Sequence, residues 1–275
     1  MPEGPEIRRL RNHLAEVLEG RRARHIRFYL PRLTAWNGPL DGRRILAIES
    51  RGKALLTHLD DGHSIYSHNQ LYGRWLTSPA GERPECRRQL RLAIHTAHHS
   101  AWLFSASSIE VWPTDQLHRQ PLLARLGPDL LDETTDAQCL RRRLTDRRWH
   151  GRQLGALLTD QGFVAGLGNY LRCEILHLAR LHPRLRPRDL DDGALESLIQ
   201  AMLELPRRSL ATGGITNEPA RAQALMAAGS DFEGARFWVF RRAGRPCYRC
   251  ATPIERRQLN GQPCYLCPNC QKAPG

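Results

Sequence analysis

Four cysteines near the C-terminal end, Cys247-x2-Cys250-x16-Cys267-x2-Cys270, constrain the fold more than any other pattern in the chain. Two C-x2-C knuckles a hairpin's length apart offer four thiolates to one tetrahedral ion, so the spacing predicts a zinc ribbon holding one structural Zn2+. With four protein ligands the ion keeps no open position, and its expected role is to hold structure, not to catalyse. Cys264 also forms a C-x2-C with Cys267, which leaves a second register open. Cys267 and Cys270 are preferred because Cys267-Pro268-Asn269-Cys270 mirrors the first knuckle. Arg256 and Arg257, between the knuckles, are expected to point from a hairpin toward a phosphate chain. Cys86, Cys139, Cys173 and Cys264 show no disulfide framework.

A chain of 275 residues is long enough for more than one domain, each with its own core. Its 41 Lys+Arg against 28 Asp+Glu give a net charge of +13, spread along the chain, which suits a polyanionic partner. Ribosomal or membrane-surface binding would produce a similar total, so charge alone selects no function. Only Lys53 and Lys272 among the basic residues are lysines. Arginine serves wherever a bare positive charge suffices, whereas a lysine amine can lose its proton, so Lys53 is a candidate for chemistry that arginine cannot perform. Lys272 falls in a solvated tail. No stretch approaches the roughly 18 apolar residues of a membrane span and no basic-then-apolar leader opens the chain, so a cytosolic protein is expected.

Residues from about 24 to 112 read as short strands separated by turns: Ile45 to Ile48, Ala54 to His58, Ser64 to Ser67, Leu90 to Ile94 and Ala101 to Phe104. Asp60-Asp61-Gly62 marks a hairpin, and Arg51-Gly52 puts Lys53 at a strand start beside a tight turn. From about 136 to 210 the apolar period becomes helical, through Leu140 to Leu144, Leu154 to Leu158, Tyr170 to Leu178, and Leu195 to Leu203. The boundaries that follow are 1–120 for a first domain, 121–135 for a linker, 136–236 for a helical domain with a mobile loop at about 211–234, and 237–275 for the zinc ribbon.

Three further motifs carry candidate chemistry. Met1-Pro2-Glu3-Gly4-Pro5-Glu6 precedes an amphipathic run (Ile7, Leu10, Leu14, Val17, Leu18), so a helix should open here, with Glu3 and Glu6 on one face. Loss of Met1 would expose the secondary amine of Pro2, a nucleophile toward aldehydes. A proline at a helix start, with acids complementing the dipole, reads the same residues without chemistry. Gly166-Leu167-Gly168-Asn169 lies between helical stretches, where Asn169 is placed to cap a helix whose N–H groups favour phosphate; a plain helix connection accounts for it equally. Asn69-Gln70-Leu71-Tyr72-Gly73 offers an amide, an apolar wedge and a ring to fill a gap in a duplex, or else a hairpin end that merely packs.

Taken with Arg51 to His58, Tyr66 to Gly73, Leu126-Gly127-Pro128-Asp129, Ala165 to Arg172 and the four cysteines, these segments make the chain resemble the formamidopyrimidine-DNA glycosylase/endonuclease VIII family over nearly its whole length, with the endonuclease VIII branch the better match. The resemblance implies an α+β multidomain protein: an N-terminal β-sandwich with an opening helix, a helix–two-turn–helix domain and a zinc ribbon. It implies a bifunctional DNA glycosylase/AP lyase of base excision repair, monomeric and cytoplasmic in a bacterium, associated with the nucleoid through damaged double-stranded DNA, with no membrane and no organic cofactor. Pro2 would attack C1′ of a damaged nucleotide, Glu3 would be the acid that assists ring opening, and Lys53 would serve proton transfer during elimination. Gln70, Leu71 and Tyr72 would enter the duplex, Arg125 and Asn169 would grip its backbone, and Glu6, Asp129 and Asp160 would organise the site. The contiguous Gln70-Leu71-Tyr72 points to oxidised pyrimidines. An oxidised-purine enzyme of the same fold, and a catalytically silent damaged-DNA-binding protein, are the alternatives. One departure stands out: where the family's zinc hairpin usually has arginine, this chain has Gln262, which puts a second, δ, elimination in question.

Overall fold

The computed structural model describes residues 2–259 and 261–274, so Met1, whose removal the proline chemistry requires, lies outside the described residues. The chain divides into two compact units, one of Pro2 with Glu6–Arg125 and the other of Glu3–Pro5 with residues 126–274.

Helix α1 (Gly4–Leu18) begins in the second unit and continues in the first. Its apolar period buries Ile7, Leu14 and Leu18 in a core shared with Ile48, Leu55, Ile65, Leu92 and Leu103. The strands of the first unit are β1 (His25–Phe28), β2 (Ile45–Arg51), β3 (Ala54–Leu59), β4 (His63–His68), β5 (Arg74–Pro79), β6 (Leu90–His95), β7 (His99–Phe104) and β8 (Ser108–Pro113). They form two four-stranded antiparallel sheets, ordered β1-β6-β7-β5 and β2-β3-β4-β8. Strand β3 is apolar on both faces for a reason. Leu55 and Leu59 join the main core, while Ala54 and Leu56 pack with Tyr66 beneath Leu117, Leu122 and Leu123. Strands β1, β5 and β8 escape a reading of the sequence; each lies at a sheet edge and pairs on one side only.

The second unit holds α2 (Ala137–Thr145), α3 (Leu154–Leu157), α4 (Asn169–Leu178), α5 (Asp192–Ala211), α6 (Pro219–Ala227) and α7 (Phe232–Ala235), followed by the hairpin β9 (Glu255–Leu259) and β10 (Gln262–Leu266). Asp136 and Asp191 cap α2 and α5 by accepting the Cys139 and Ala194 N–H groups, each at 2.7 Å. Residues 211–234, expected as a loop, contain α6 and α7. Pro219 presets the first turn of α6, but only Ala222 on that helix is buried, so no apolar period betrays it. The ribbon is not a free-standing appendage, because Cys173 of α4 shares an apolar cluster with Trp238, Val239, Ile254 and Leu266. Among the described residues no helix is long and apolar enough to cross a membrane.

Candidate active site

Glu3 precedes α1, and its carboxylate serves a different helix from the one it introduces. Oε2 accepts the Gly168 N–H at 2.7 Å and the Leu171 N–H at 3.3 Å, while Oε1 accepts the Tyr170 N–H at 2.8 Å. These are the donors that α4 leaves unpaired at its N-terminus, where the helix dipole also favours an anion. Glycine is required at 168, because a Cβ there would stand 2.5 Å from the Glu3 carboxyl carbon. The side chain is 2 % exposed, so both its plane and its position are fixed.

Asn169 does not cap α4: it is the first helical residue, and its Nδ2 donates to the Pro263 carbonyl of β10 at 3.0 Å while Oδ1 accepts from Arg172. The N–H groups of Gly168, Tyr170 and Leu171 at the α4 N-terminus are taken by the Glu3 carboxylate. Nor do Glu3 and Glu6 act as a pair on one helical face, since Glu6 lies within α1 and pairs with Arg9 at 3.4 Å.

In the first unit, Lys53 occupies the turn before β3 with its side chain buried. Burial, then the Lys53 charge, hold the His68 imidazole below its usual range, so near neutrality its Nδ1 is free to accept the Gln70 N–H at 2.9 Å. This anchors a loop whose tip is unusual. Gln70 sits in the left-handed region at φ 51°, its Oε1 accepts the Ser107 hydroxyl at 2.7 Å, and the Tyr72 carbonyl accepts from Arg88. Gly73 closes the loop, since a Cβ there would meet the Asn69 carbonyl oxygen at 2.5 Å. Leu71 and Tyr72 are left 62 % and 68 % exposed, which disfavours the packing interpretation of these side chains. His68, Ser107 and Arg88 were not legible as functional from sequence, because their only signal is proximity in space.

Asp129 accepts the Leu131 N–H through Oδ1 at 2.9 Å, and its backbone pairs with Ala165. Burial pushes the Asp160 carboxyl up, but the Arg152 guanidinium at 2.6 Å and the Gly162 and Phe163 N–H groups outweigh it and hold the carboxyl below its usual range. Both acids organise backbone around the segment that leads into Gly168. Arg125 ends a 3-10 turn of the first unit and is exposed. The buried Arg172 ties three pieces of the second unit together, donating to the carbonyls of Gly155 and Pro263 and to Asn169. Glu174, also fully buried, accepts the N–H groups of Trp238, Val239 and Phe240 and the Thr216 hydroxyl; burial raises its carboxyl pKa despite them. Neither residue is legible in the sequence, since the role of a charge inside an apolar helix is set by partners distant in the chain. Glu3, Asp129, Asp160, Asn169 and the cysteines thus belong to one unit. Pro2, Glu6, Lys53, Gln70, Leu71, Tyr72 and Arg125 belong to the other.

The sulfurs of Cys247, Cys250, Cys267 and Cys270 lie within 4.8 Å of one another, with Cys247–Cys270, Cys250–Cys267 and Cys250–Cys270 at 3.9, 3.4 and 3.5 Å. Four thiolates at tetrahedral zinc distances stand about 3.8 Å apart, so the cluster has the size that ion requires. Cys264 is outside the cluster, which settles the register in favour of Cys267 and Cys270.

Comparison with known proteins agrees with this architecture. Residues 1–107 match the formamidopyrimidine-DNA glycosylase N-terminal domain, and residues 126–220 match the H2TH domain of the same enzymes. The chain is 42 % identical to endonuclease 8 of Escherichia coli over 98 % of its length and all of that protein, and 43 % identical to endonuclease 8 of Salmonella arizonae over 99 % of its length and all of that protein. Its fold superimposes with a TM-score of 0.81, over 98 % of this chain and 100 % of the other, on the Lactococcus lactis formamidopyrimidine-DNA glycosylase non-covalently bound to DNA containing an abasic site, at 24 % identity. A complex of the Lactococcus lactis enzyme with DNA containing N7-benzyl-Fapy-dG gives 0.82, again at 24 % identity, over 99 % and 100 %. The shared fold, the two matching domains and the full-length identity place this chain in the formamidopyrimidine-DNA glycosylase family.

Proposed function

We propose that the catalytic amine of this DNA glycosylase/AP lyase of base excision repair is that of Pro2, exposed when Met1 is removed. The observation that carries the proposal is the seat of Glu3: one peptide bond from Pro2, its carboxylate is fixed by three backbone N–H groups behind a glycine that admits no side chain. An attacking amine must be neutral, and a free α-amino group with a pKa of about 7.7–8.0 is partly so near neutrality. Its addition to C1′ expels the base and leaves an iminium on the opened sugar. Glu3 is the acid for ring opening. The iminium withdraws electrons, the C2′ proton is lost, and the 3′ phosphate departs by β-elimination, with Lys53 serving proton transfer and phosphate contact. Gln70, Leu71 and Tyr72 occupy the space vacated by the extruded nucleotide, at a flipping cost of a few kcal/mol that is least for a damaged base. Arg125 and Asn169 hold the backbone around that nucleotide. The four cysteines bind one structural Zn2+, which holds the hairpin, and the protein works on damaged duplex DNA as a monomer in the bacterial cytoplasm.

Oxidised pyrimidines are the proposed substrates, because Leu71 and Tyr72 stand contiguous and exposed beside Gln70. Single-turnover excision on otherwise identical duplexes should run faster on thymine glycol than on 8-oxoguanine by at least about tenfold, roughly 1.4 kcal/mol in transition-state binding. Preference for the purine would move the enzyme to the other branch.

A further inference from the structure

In the second unit, two loops run side by side. Leu154 N–H donates to the Leu185 carbonyl at 2.8 Å, Gly155 N–H to Pro183 at 2.9 Å, and Arg188 N–H to His150 at 3.1 Å. Arg147, Arg148, Arg184 and Arg188 are exposed along this seam. The guanidinium of Arg148 lies 4.5 Å over the Trp149 ring, which restricts it without neutralising it. The neighbouring acids each have partners and offset only part of this charge. Asp160 pairs with Arg152, Asp146 accepts the Arg148 backbone N–H at 2.8 Å, and Asp189 accepts the Arg186 backbone N–H at 2.9 Å while standing 3.8 Å from Arg188.

The seam joins the zinc hairpin. Leu259 of β9 fills the space beside Gly155, so closely that a Cβ on Gly155 would clash with its Cδ2. Next to it, burial and then the charges of Arg257 and Arg184 depress the His182 imidazole, which puts the hairpin arginine and the seam arginine in one electrostatic neighbourhood. None of the exposed large apolar side chains falls on the seam, so a partner here is met by charge and not by apolar burial.

We propose that the seam formed by residues 147–152 and 184–188 is a second phosphate track, which takes the backbone of duplex DNA flanking the lesion. The proposal rests on the DNA-repair function above and extends it to residues outside the catalytic groups. Four exposed guanidiniums with no apolar anchor suit sequence-independent phosphate contact, the kind of binding that lets a protein move along undamaged duplex.

The test is the salt dependence of binding to a duplex of about 30 base pairs carrying a reduced abasic analogue, measured between about 50 and 200 mM salt. Each phosphate contact contributes about 0.9 to the slope of log K against log salt, so R147Q/R148Q/R184Q/R188Q should flatten the slope by about 3 to 4. R147Q and R184Q alone should each flatten it by about 1, which keeps the proposal testable if the quadruple variant does not fold. Single-turnover excision at saturating enzyme should be unchanged. Slopes equal to wild type in folded variants would overturn the track. Absence of lesion excision by the wild-type protein would instead overturn the functional reading, while the slopes would still decide the track.

Discussion

Glu3→Gln should slow excision of a damaged base by about 10²–10⁴-fold, the usual size of a lost general acid, while strand cleavage at a preformed abasic site falls far less. The asymmetry follows from the chemistry. A nucleoside sugar is a closed ring whose opening needs a proton, whereas an abasic site already equilibrates with its open aldehyde. Structure adds a second consequence, because both Glu3 oxygens accept backbone N–H groups of Gly168, Tyr170 and Leu171. A glutamine keeps one acceptor and turns an NH2 toward a donor, so stability should fall by about 1–3 kcal/mol, read as a lowered denaturation midpoint. Paired excision and abasic-site assays on the same preparation check both effects, and equal losses in the two activities would remove Glu3 from the acid role.

Zinc removal should have the other large effect. Apparent binding free energies for structural zinc in small domains run to about 10–16 kcal/mol, and zinc held by the four cysteines would organise a hairpin that packs with Trp238, Ile254 and Leu266. Chelation, or Cys250→Ser, is expected to expose Trp238, measurable as a fluorescence shift, and to lower DNA affinity. Because Asn169 and Arg172 both donate to the Pro263 carbonyl of β10, the disturbance should reach the N-terminus of α4 and reduce excision as well. Arg256→Ala with Arg257→Ala provides the contrast. It should weaken DNA binding and alter the product pattern without the fluorescence change, since Arg257 is exposed and paired only locally, with Glu255 at 2.7 Å. Unchanged affinity and products in that double variant would mean that these arginines do not stand in for the residue replaced by Gln262.

The parts legible in the sequence are those where one residue type admits few explanations. The four cysteines, their register aside, announce a ribbon by spacing alone, and the strands β3, β4, β6 and β7 announce themselves by buried apolar runs. The edge strands β1 and β5 do not, and neither do α6 and α7, because order there comes from partners and caps more than from apolar periodicity. At the candidate site, the segment Gly166-Leu167-Gly168-Asn169 reads equally as a phosphate-binding turn and as a plain helix connection. The physics of the first reading is sound, since a helix N-terminus behind a glycine does attract an anion, but the anion comes from the other end of the chain. Sequence distance hides such a pairing: Glu3 and Gly168 are 165 residues apart. The same holds for Asn169, whose Nδ2 makes one hydrogen bond to the Pro263 carbonyl of β10, 94 residues away. Lys53 stands out because arginine dominates the composition; burial first, and the Lys53 charge second, hold down the His68 imidazole that accepts the Gln70 N–H of the loop carrying Leu71 and Tyr72.

The central claim is that a secondary amine at position 2 forms a covalent adduct with deoxyribose. Borohydride reduction during reaction with an abasic duplex, followed by digestion and mass mapping of the crosslinked peptide, tests it most directly. The account predicts one adduct, on the nitrogen of Pro2, in protein that lacks Met1. An adduct mapped to Lys53, or full activity in protein that retains Met1, would contradict it.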